Sequence, residues 1–166
     1  MNIVLCGMMG SGKTTVARVL HNIYGLQWLD TDDEIVKEYG SINGLFASLG
    51  EEGFRNIESA VTKRVAQSLS HGVISVGGGC VLRAENVSAL KSSGRIYYLR
   101  TSPQTVIARL KGDDTRPLLQ GGLEQKVNSI SAARSAIYEA VCDNIVDTDA
   151  LSPEEIARQI KRLHSL

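Results

Sequence analysis

The chain is 166 residues long, 43% of them hydrophobic, and its 18 basic side chains are matched by 18 acidic ones for a formal net charge of zero. That length suits one domain, residues 1–166, with a substantial buried core. Balanced charge excludes the long-range field that draws a protein to nucleic acid or an anionic membrane, and no apolar run approaches the roughly 20 residues of a spanning helix. The expected partner is a small molecule.

Cys6, Cys80 and Cys142 are widely spaced, form no CxxC pair and read as small buried apolar residues in a reducing compartment. The run Ile3 to Cys6 has no basic residues before it and stops at Gly7, unlike a secretory signal. The expected location is cytoplasmic.

Short apolar runs alternate with helical patterns, the signature of a parallel sheet built from βαβ units. The first strand, Asn2 to Cys6, runs into Gly7-Met8-Met9-Gly10-Ser11-Gly12-Lys13-Thr14, a match to G-x-x-x-x-G-K-[ST] in the strand-to-helix setting the motif requires. Glycines let successive backbone N–H groups turn inward, and the helix that follows adds its positive end, so the loop cradles phosphate oxygens. Within it Lys13 reaches the β- and γ-phosphates, and the Thr14 hydroxyl ligates Mg²⁺. The helix Lys13 to Tyr24 carries Val16, Val19, Leu20 and Ile23 on one face and has Gly25 just past its end.

The second strand, Gln27 to Leu29, leads into Asp30-Thr31-Asp32-Asp33 at the edge where open α/β sheets bind ligands. There Asp30 is the candidate to hold a metal and Asp32 the candidate to accept a hydrogen bond from an attacking hydroxyl. The run also reads as the acidic first turn of a helix from Asp33 to Tyr39, which suits Asp33 and Glu34 better. A longer helix, Glu51 to Leu69, carries Arg55. The third strand, Val73 to Val76, ends in Gly77-Gly78-Gly79, which either lets backbone approach a ligand closely or makes a tight turn before a helix near Ala84.

Arg95 to Leu99 is the fourth strand, and Ser102-Pro103 opens a helix to about Leu110. Residues 112–122, rich in glycine, read as a mobile lid. Its Arg116 either closes onto the transferring phosphoryl group or faces solvent. Arg134 lies in another helical pattern and, like Arg55, is either a solvated helix residue or a two-pronged grip on a carboxylate. Asn144 to Val146 is the fifth strand, and Ser152-Pro153-Glu154-Glu155 opens the last helix with a capping box. The expected fold is α/β: three αβα layers around a five-stranded parallel sheet.

These residues resemble the shikimate kinase family along nearly the whole chain. The marks are Gly7-x4-Gly12-Lys13-Thr14, Asp30-Thr31-Asp32, Gly53-Phe54-Arg55-x-x-Glu58, Gly77-Gly78-Gly79, Arg116-Pro117-Leu118-Leu119, and Arg134 with Tyr138. The resemblance implies a P-loop fold like that of nucleoside monophosphate kinases, and transfer of the γ-phosphate of ATP to the 3-hydroxyl of shikimate. It also implies ATP bound by Gly10, Ser11, Gly12, Lys13, Thr14 and Thr15, with Arg109 near the adenine and Arg116 swinging in from the lid. By the same resemblance Asp32 would orient the hydroxyl and be catalytic together with Lys13 and Arg116, and Asp30 and Thr14 would serve Mg²⁺. The resemblance also implies that Arg55 and Arg134 would hold the shikimate carboxylate, with Gly77, Gly78 and Gly79 lining the pocket and Glu58 supporting it. The acceptor region spans about 31–60, and the protein is expected to be a monomer. One departure stands out: family members often have a proline two residues beyond the arginine matching Arg134, and this chain has Ala136, so the helix there is expected to run straighter.

Two other readings of the residues stay open. One is a related kinase of gluconate or a nucleoside monophosphate, which shares cradle and lid. The other is a non-catalytic nucleotide switch, for which Asn144-x-x-Asp147 offers an N-K-x-D pattern with Ile145 in place of the lysine and no D-x-x-G partner.

Overall fold

The structure, a computed structural model, describes residues 1–111 and 122–165. Five strands, β1 (Asn2–Cys6), β2 (Trp28–Asp30), β3 (Val73–Ser75), β4 (Gly94–Arg100) and β5 (Asn144–Asp147), form one parallel sheet in the order β2-β3-β1-β4-β5. Every residue of β1 is buried. A strand covered on both faces needs apolar side chains in both directions, which is why its sequence does not alternate.

Among the described residues seven α-helices cover the sheet: α1 (Lys13–Tyr24), α2 (Thr31–Tyr39), α3 (Ile42–Ser68), α4 (Ala84–Ser93), α5 (Pro103–Leu110), α6 (Leu123–Val141) and α7 (Pro153–His164). On one face Ile3, Leu5, Tyr97 and Leu99 pack with Val16 and Leu20 of α1 and with Ile156 and Ile160 of α7. On the other, Val4, Cys6, Ile74 and Ile96 meet Ile35 of α2, Val65 of α3, Leu90 of α4, Val106 of α5 and Val127 of α6.

This division follows from chirality. Parallel crossovers are right-handed almost without exception. From β1 the chain passes beyond the position of β3 to reach β2 by way of α1, and every later crossover steps back in the opposite direction. One hand with a reversed direction demands the opposite face, so α1 stands apart from α2–α6. At the carboxyl edge, the loop after β1 therefore turns to one face while those after its neighbours β3 and β4 turn to the other. A crevice opens at that switch point.

Element boundaries depart from the sequence pattern in two instructive places. Helix α2 begins at Thr31 rather than Asp33, because the Asp30 side chain accepts the N–H groups of Asp32 and Asp33 and so caps the helix two residues earlier. Helix α3 begins at Ile42, and Gly50, with φ 71° and ψ −178°, divides it into segments 42–49 and 51–68. The first segment is new; its cap, Ser41, accepts from the Gly44 N–H at 3.1 Å, and Ile42, Leu45, Phe46 and Leu49 recur at helical spacing. Helix α6 runs unbroken through Ala136, as the absence of proline there leads one to expect. Cys6 and Cys80 are buried, but Cys142 is only half-buried, which corrects the expectation for that residue. Among the described residues no helix is long and apolar enough to cross a membrane.

Candidate active site at the carboxyl edge of the sheet

The loop after β1 is held open by three glycines, Gly7, Gly10 and Gly12, with φ of 144°, 73° and 95°. Space adds a second requirement at Gly7, where a Cβ would lie 2.8 Å from the Leu99 carbonyl oxygen. Gly12 enters α1 in the left-handed conformation without any side-chain cap. The first N–H groups of α1 are thereby left for an anion to accept. Ser11, buried behind the loop, closes its turn by donating its N–H to the Met8 carbonyl at 3.2 Å. Lys13 Nζ donates to the carbonyls of Gly7 and Met8, 2.8 Å each, which holds the ammonium across the cradle.

Asp30 works with both of its oxygens. Oδ1 caps α2 through the Asp32 N–H at 2.9 Å, while Oδ2 accepts from the Thr14 hydroxyl at 3.1 Å and from the Ser75 hydroxyl at 2.8 Å. One oxygen of this carboxylate thus serves the helix end and the other faces the Thr14 hydroxyl at the mouth of the cradle. Ser75 escaped the sequence reading, although its place on β3 directly opposite Asp30 is a matter of register. Among the described residues no cluster of three or more His, Cys, Asp or Glu side chains is disposed to hold a metal. Magnesium seldom needs one, since it takes one or two protein oxygens, waters and substrate phosphates; the donor set of Thr14 and Asp30 beside the cradle fits that habit.

The triple glycine is explained by side-chain space. None of the three has positive φ. A Cβ on Gly77 would lie 2.6 Å from Asp32 Oδ1 and 3.2 Å from Glu58 Oε1, and one on Gly78 would lie 3.5 Å from both Arg134 and the Tyr138 hydroxyl. On Gly79 it would collide with the Arg55 guanidinium. The missing side chains let Asp32, Glu58, Arg55, Arg134 and Tyr138 converge on one turn. Tyr138 also fastens that turn by donating to the Gly78 carbonyl at 2.7 Å.

Glu58, on α3, is 1% exposed and accepts from Arg55 at 2.7 Å. Arg55 in turn lies over the rings of Phe54 and Phe46, 5.3 and 6.0 Å from their centroids, and the two rings stack on each other. Phe46 belongs to the segment of α3 that the sequence did not reveal. Burial raises the Glu58 carboxyl above its usual range against the lowering influence of Arg55 and Arg134. Asp32 is pushed up to about 6, chiefly by burial and then by the Asp30 and Glu58 carboxylates, with Lys13 opposing.

A cavity of about 590 Å³ joins the cradle to Asp30, Asp32, Gly77 and Gly78; Arg55, Glu58, Gly79 and Arg134 are not among the residues that line it. Strand order assigns its flanks. The cradle follows the central strand β1, Asp30, Asp32, Gly77 and Gly78 lie on the β2–β3 side, and Arg109, Leu151 and Pro153 lie on the β4–β5 side. Thr14 and Thr15 line it as well. Arg109 donates to the Gly10 carbonyl at 2.9 Å and so leans over the cradle from α5. Arg116 and nearly all of the expected lid over 112–122 lie outside the described residues; Gly122 caps α6.

Backbone amides that receive phosphate at the centre of a cavity, with an acidic group on one flank, suit the movement of a phosphoryl group. On a parallel sheet of order 2-3-1-4-5 that chemistry is the work of a P-loop phosphotransferase. A family model described as shikimate kinase matches residues 9–164. A shikimate kinase of Caldicellulosiruptor bescii is 42% identical over 167 residues, covering 98% of this chain and 95% of the relative. Another, from Caldicellulosiruptor saccharolyticus, is 44% identical over 165 residues at the same coverage. The solved structure of shikimate kinase from Acinetobacter baumannii in complex with shikimate superposes with a TM-score of 0.89 at 35% identity, covering 98% of this chain and 91% of that one. The chain belongs to the shikimate kinase family of ATP-dependent phosphotransferases. The gluconate, nucleoside monophosphate and switch readings give way to it.

Proposed function

We propose that this chain, acting as one domain and as a monomer in the cytoplasm, transfers the γ-phosphate of ATP to the 3-hydroxyl of shikimate, yielding shikimate 3-phosphate on the route to chorismate and the aromatic amino acids. The observation that carries the proposal is that one cavity is lined both by the Lys13–Thr14 cradle and by the Asp32 carboxyl. Donor phosphate and acceptor hydroxyl can meet there without a second site.

In this reading the amides of Gly10 to Thr15 and the Lys13 ammonium receive the phosphates, and fixed dipoles stabilise charge on the transferring group without reorganising. Asp32 accepts the hydrogen bond of the shikimate hydroxyl and takes its proton; a carboxyl near 6 is better matched to that task at neutral pH than an ordinary aspartate. Thr14 and Asp30 would hold Mg²⁺, which when bound offsets phosphate charge. On the acceptor flank, formed within residues 31–60 and by the triple glycine, Arg55 and Arg134 grip the shikimate carboxylate. Glu58 aims Arg55 through their short ion pair, a charge-assisted contact with little freedom of direction. Arg116 takes the role of neutralising the transferring phosphoryl group.

A coupled assay of ADP release in the presence of shikimate, gluconate or nucleoside monophosphates tests the proposal. Shikimate-dependent ADP release is expected. Equal release without acceptor, or release with gluconate alone, overturns it.

A further inference from the structure

On the β4–β5 flank the wall of the cavity is made from two elements with no covalent continuity. Leu151 belongs to the loop between β5 and α7 and Pro153 is the first residue of α7, whereas Arg109 belongs to the last turn of α5. The two emerge from paired strands: the β4–β5 ladder ends at Arg100 and Asp147, and the N–H of Thr148 adds a bond to the Arg100 carbonyl at 3.0 Å. Beneath that bond the Thr101 and Thr148 hydroxyls meet at 2.6 Å in the interior.

Asp149, an exposed residue, follows Thr148 of this pair in the chain and precedes Leu151 of the cavity wall by two residues. Its Oδ1 accepts the N–H of Ser102 at 3.0 Å, and Ser102 is the residue that caps α5. The Ser102 hydroxyl, which accepts the Thr105 N–H, donates in turn to the Thr105 hydroxyl at 3.0 Å. Desolvation pushes the Asp149 carboxyl up, but the Ser102 N–H and the nearby hydroxyls of Ser102 and Thr105, with Arg109 adding a smaller electrostatic pull, bring it below the ordinary aspartate range. One carboxylate therefore fastens the loop that leads to Leu151 and Pro153 onto the start of an eight-residue helix whose other end presents Arg109 to the Gly10 carbonyl. A helix of two turns is a short rigid strut. Fixing its first residue fixes the spacing between Arg109 and the opposite wall.

We infer that Asp149 is a positioning residue for the nucleotide: it sets the width of the cavity on the β4–β5 flank by clipping the β5–α7 loop to the N-terminus of α5. The inference rests on the reading that ATP occupies this cavity. It assigns Asp149 to the nucleoside part of ATP and to nothing on the acceptor flank, which lies across β1.

The test compares wild type, Asp149→Ala and Asp149→Asn for ADP affinity by calorimetry and for KM of ATP and of shikimate, with thermal unfolding alongside. Asp149→Ala should weaken ADP and raise the ATP KM about fivefold, the factor carried by one lost hydrogen bond of ordinary strength, while the shikimate KM stays within about twofold. Asp149→Asn, which can still accept from Ser102, should recover most of the loss. Wild type that fails to bind ADP would overturn the ATP reading itself. Wild-type binding with an unchanged ADP affinity in Asp149→Ala would overturn only the clip, as would an equal rise in both KM values or an Asn variant as impaired as Ala. A variant whose melting temperature falls with both KM values intact would reduce Asp149 to a helix-end stabiliser and likewise overturn it.

Discussion

Asp32 lies in the site beside two other carboxylates, and its chemistry and its cost to the fold have one origin. Because its carboxyl is pushed up to about 6 by burial and by Asp30 and Glu58, the folded chain binds more protons than the unfolded chain between pH of about 4 and 6. Stability therefore falls as pH rises through that window and stays lower above it. Asp32→Asn removes the burden: the variant should unfold at higher urea than wild type at pH 7.5, by an amount of the order of 2 kcal/mol, and match it near pH 4. Its turnover should fall about 100-fold or more, the usual worth of a placed base, and wild-type kcat/KM for shikimate should show an acid limb near pH 6. A variant no more stable than wild type at pH 7.5 would show that the carboxyl carries no such burden. Arg55 gives the complementary case. Arg55→Ala leaves Glu58 buried without its cation, so the expected loss is about 3–5 kcal/mol, smaller at low pH where Glu58 can take a proton, together with a raised shikimate KM. A stability loss that is flat with pH, or an unchanged KM, would separate Arg55 from the roles given to it. Whether such an arginine was solvated or buried could not be read from its helical pattern, because burial depends on Phe46, Phe54 and the space at Gly79, which come together only in three dimensions.

Among the elements, those bounded by strong local chemistry were legible and those bounded by tertiary contacts were not. Helices α1 and α5 fall where glycine, serine and proline signals put them, and the five strands fall within a residue or so of their apolar runs. The segment 42–49 of α3 was hidden by Gly44 and Gly50, residues that ordinarily argue against a helix. Gly50 does break the helix, but the chain resumes helical structure at once on the far side. Its φ of 71° with ψ of −178° is a region essentially reserved for glycine, while a Cβ there would meet nothing within 4 Å. Gly50→Ala is therefore a test of conformation without a clash. It should cost about 1–3 kcal/mol in chemical denaturation and raise the shikimate KM by displacing Phe46 from its stack on Phe54. An unaltered denaturation midpoint would mean that the break is not held by the glycine.

At the scale of the whole molecule, a ligand that binds only the folded chain stabilises it by mass action. ADP at a hundred times its dissociation constant should add about 2.7 kcal/mol, a rise of roughly 5–10 °C in melting temperature for a chain of this size. Chelation should abolish turnover and restoration of Mg²⁺ recover it; full activity in excess chelator would remove Thr14 and Asp30 from metal binding. The parallel sheet was legible from continuous apolar strands, but its order was not, because sequence periodicity reports burial and says nothing about neighbours. That order has a consequence for how such a molecule can change. With the cradle after the middle strand, the proposed acceptor residues Asp32, Arg55, Glu58 and the triple glycine follow β2 and β3, and the cavity wall proposed for the nucleotide follows β4 and β5. Laboratory selection for a new acceptor should accordingly collect its substitutions between residues 31 and 82 and around Arg134 on α6, which reaches across to Gly78, and leave nucleotide preference where it was, so that the acceptor side of the enzyme can be rewritten while the other keeps its allegiance to ATP.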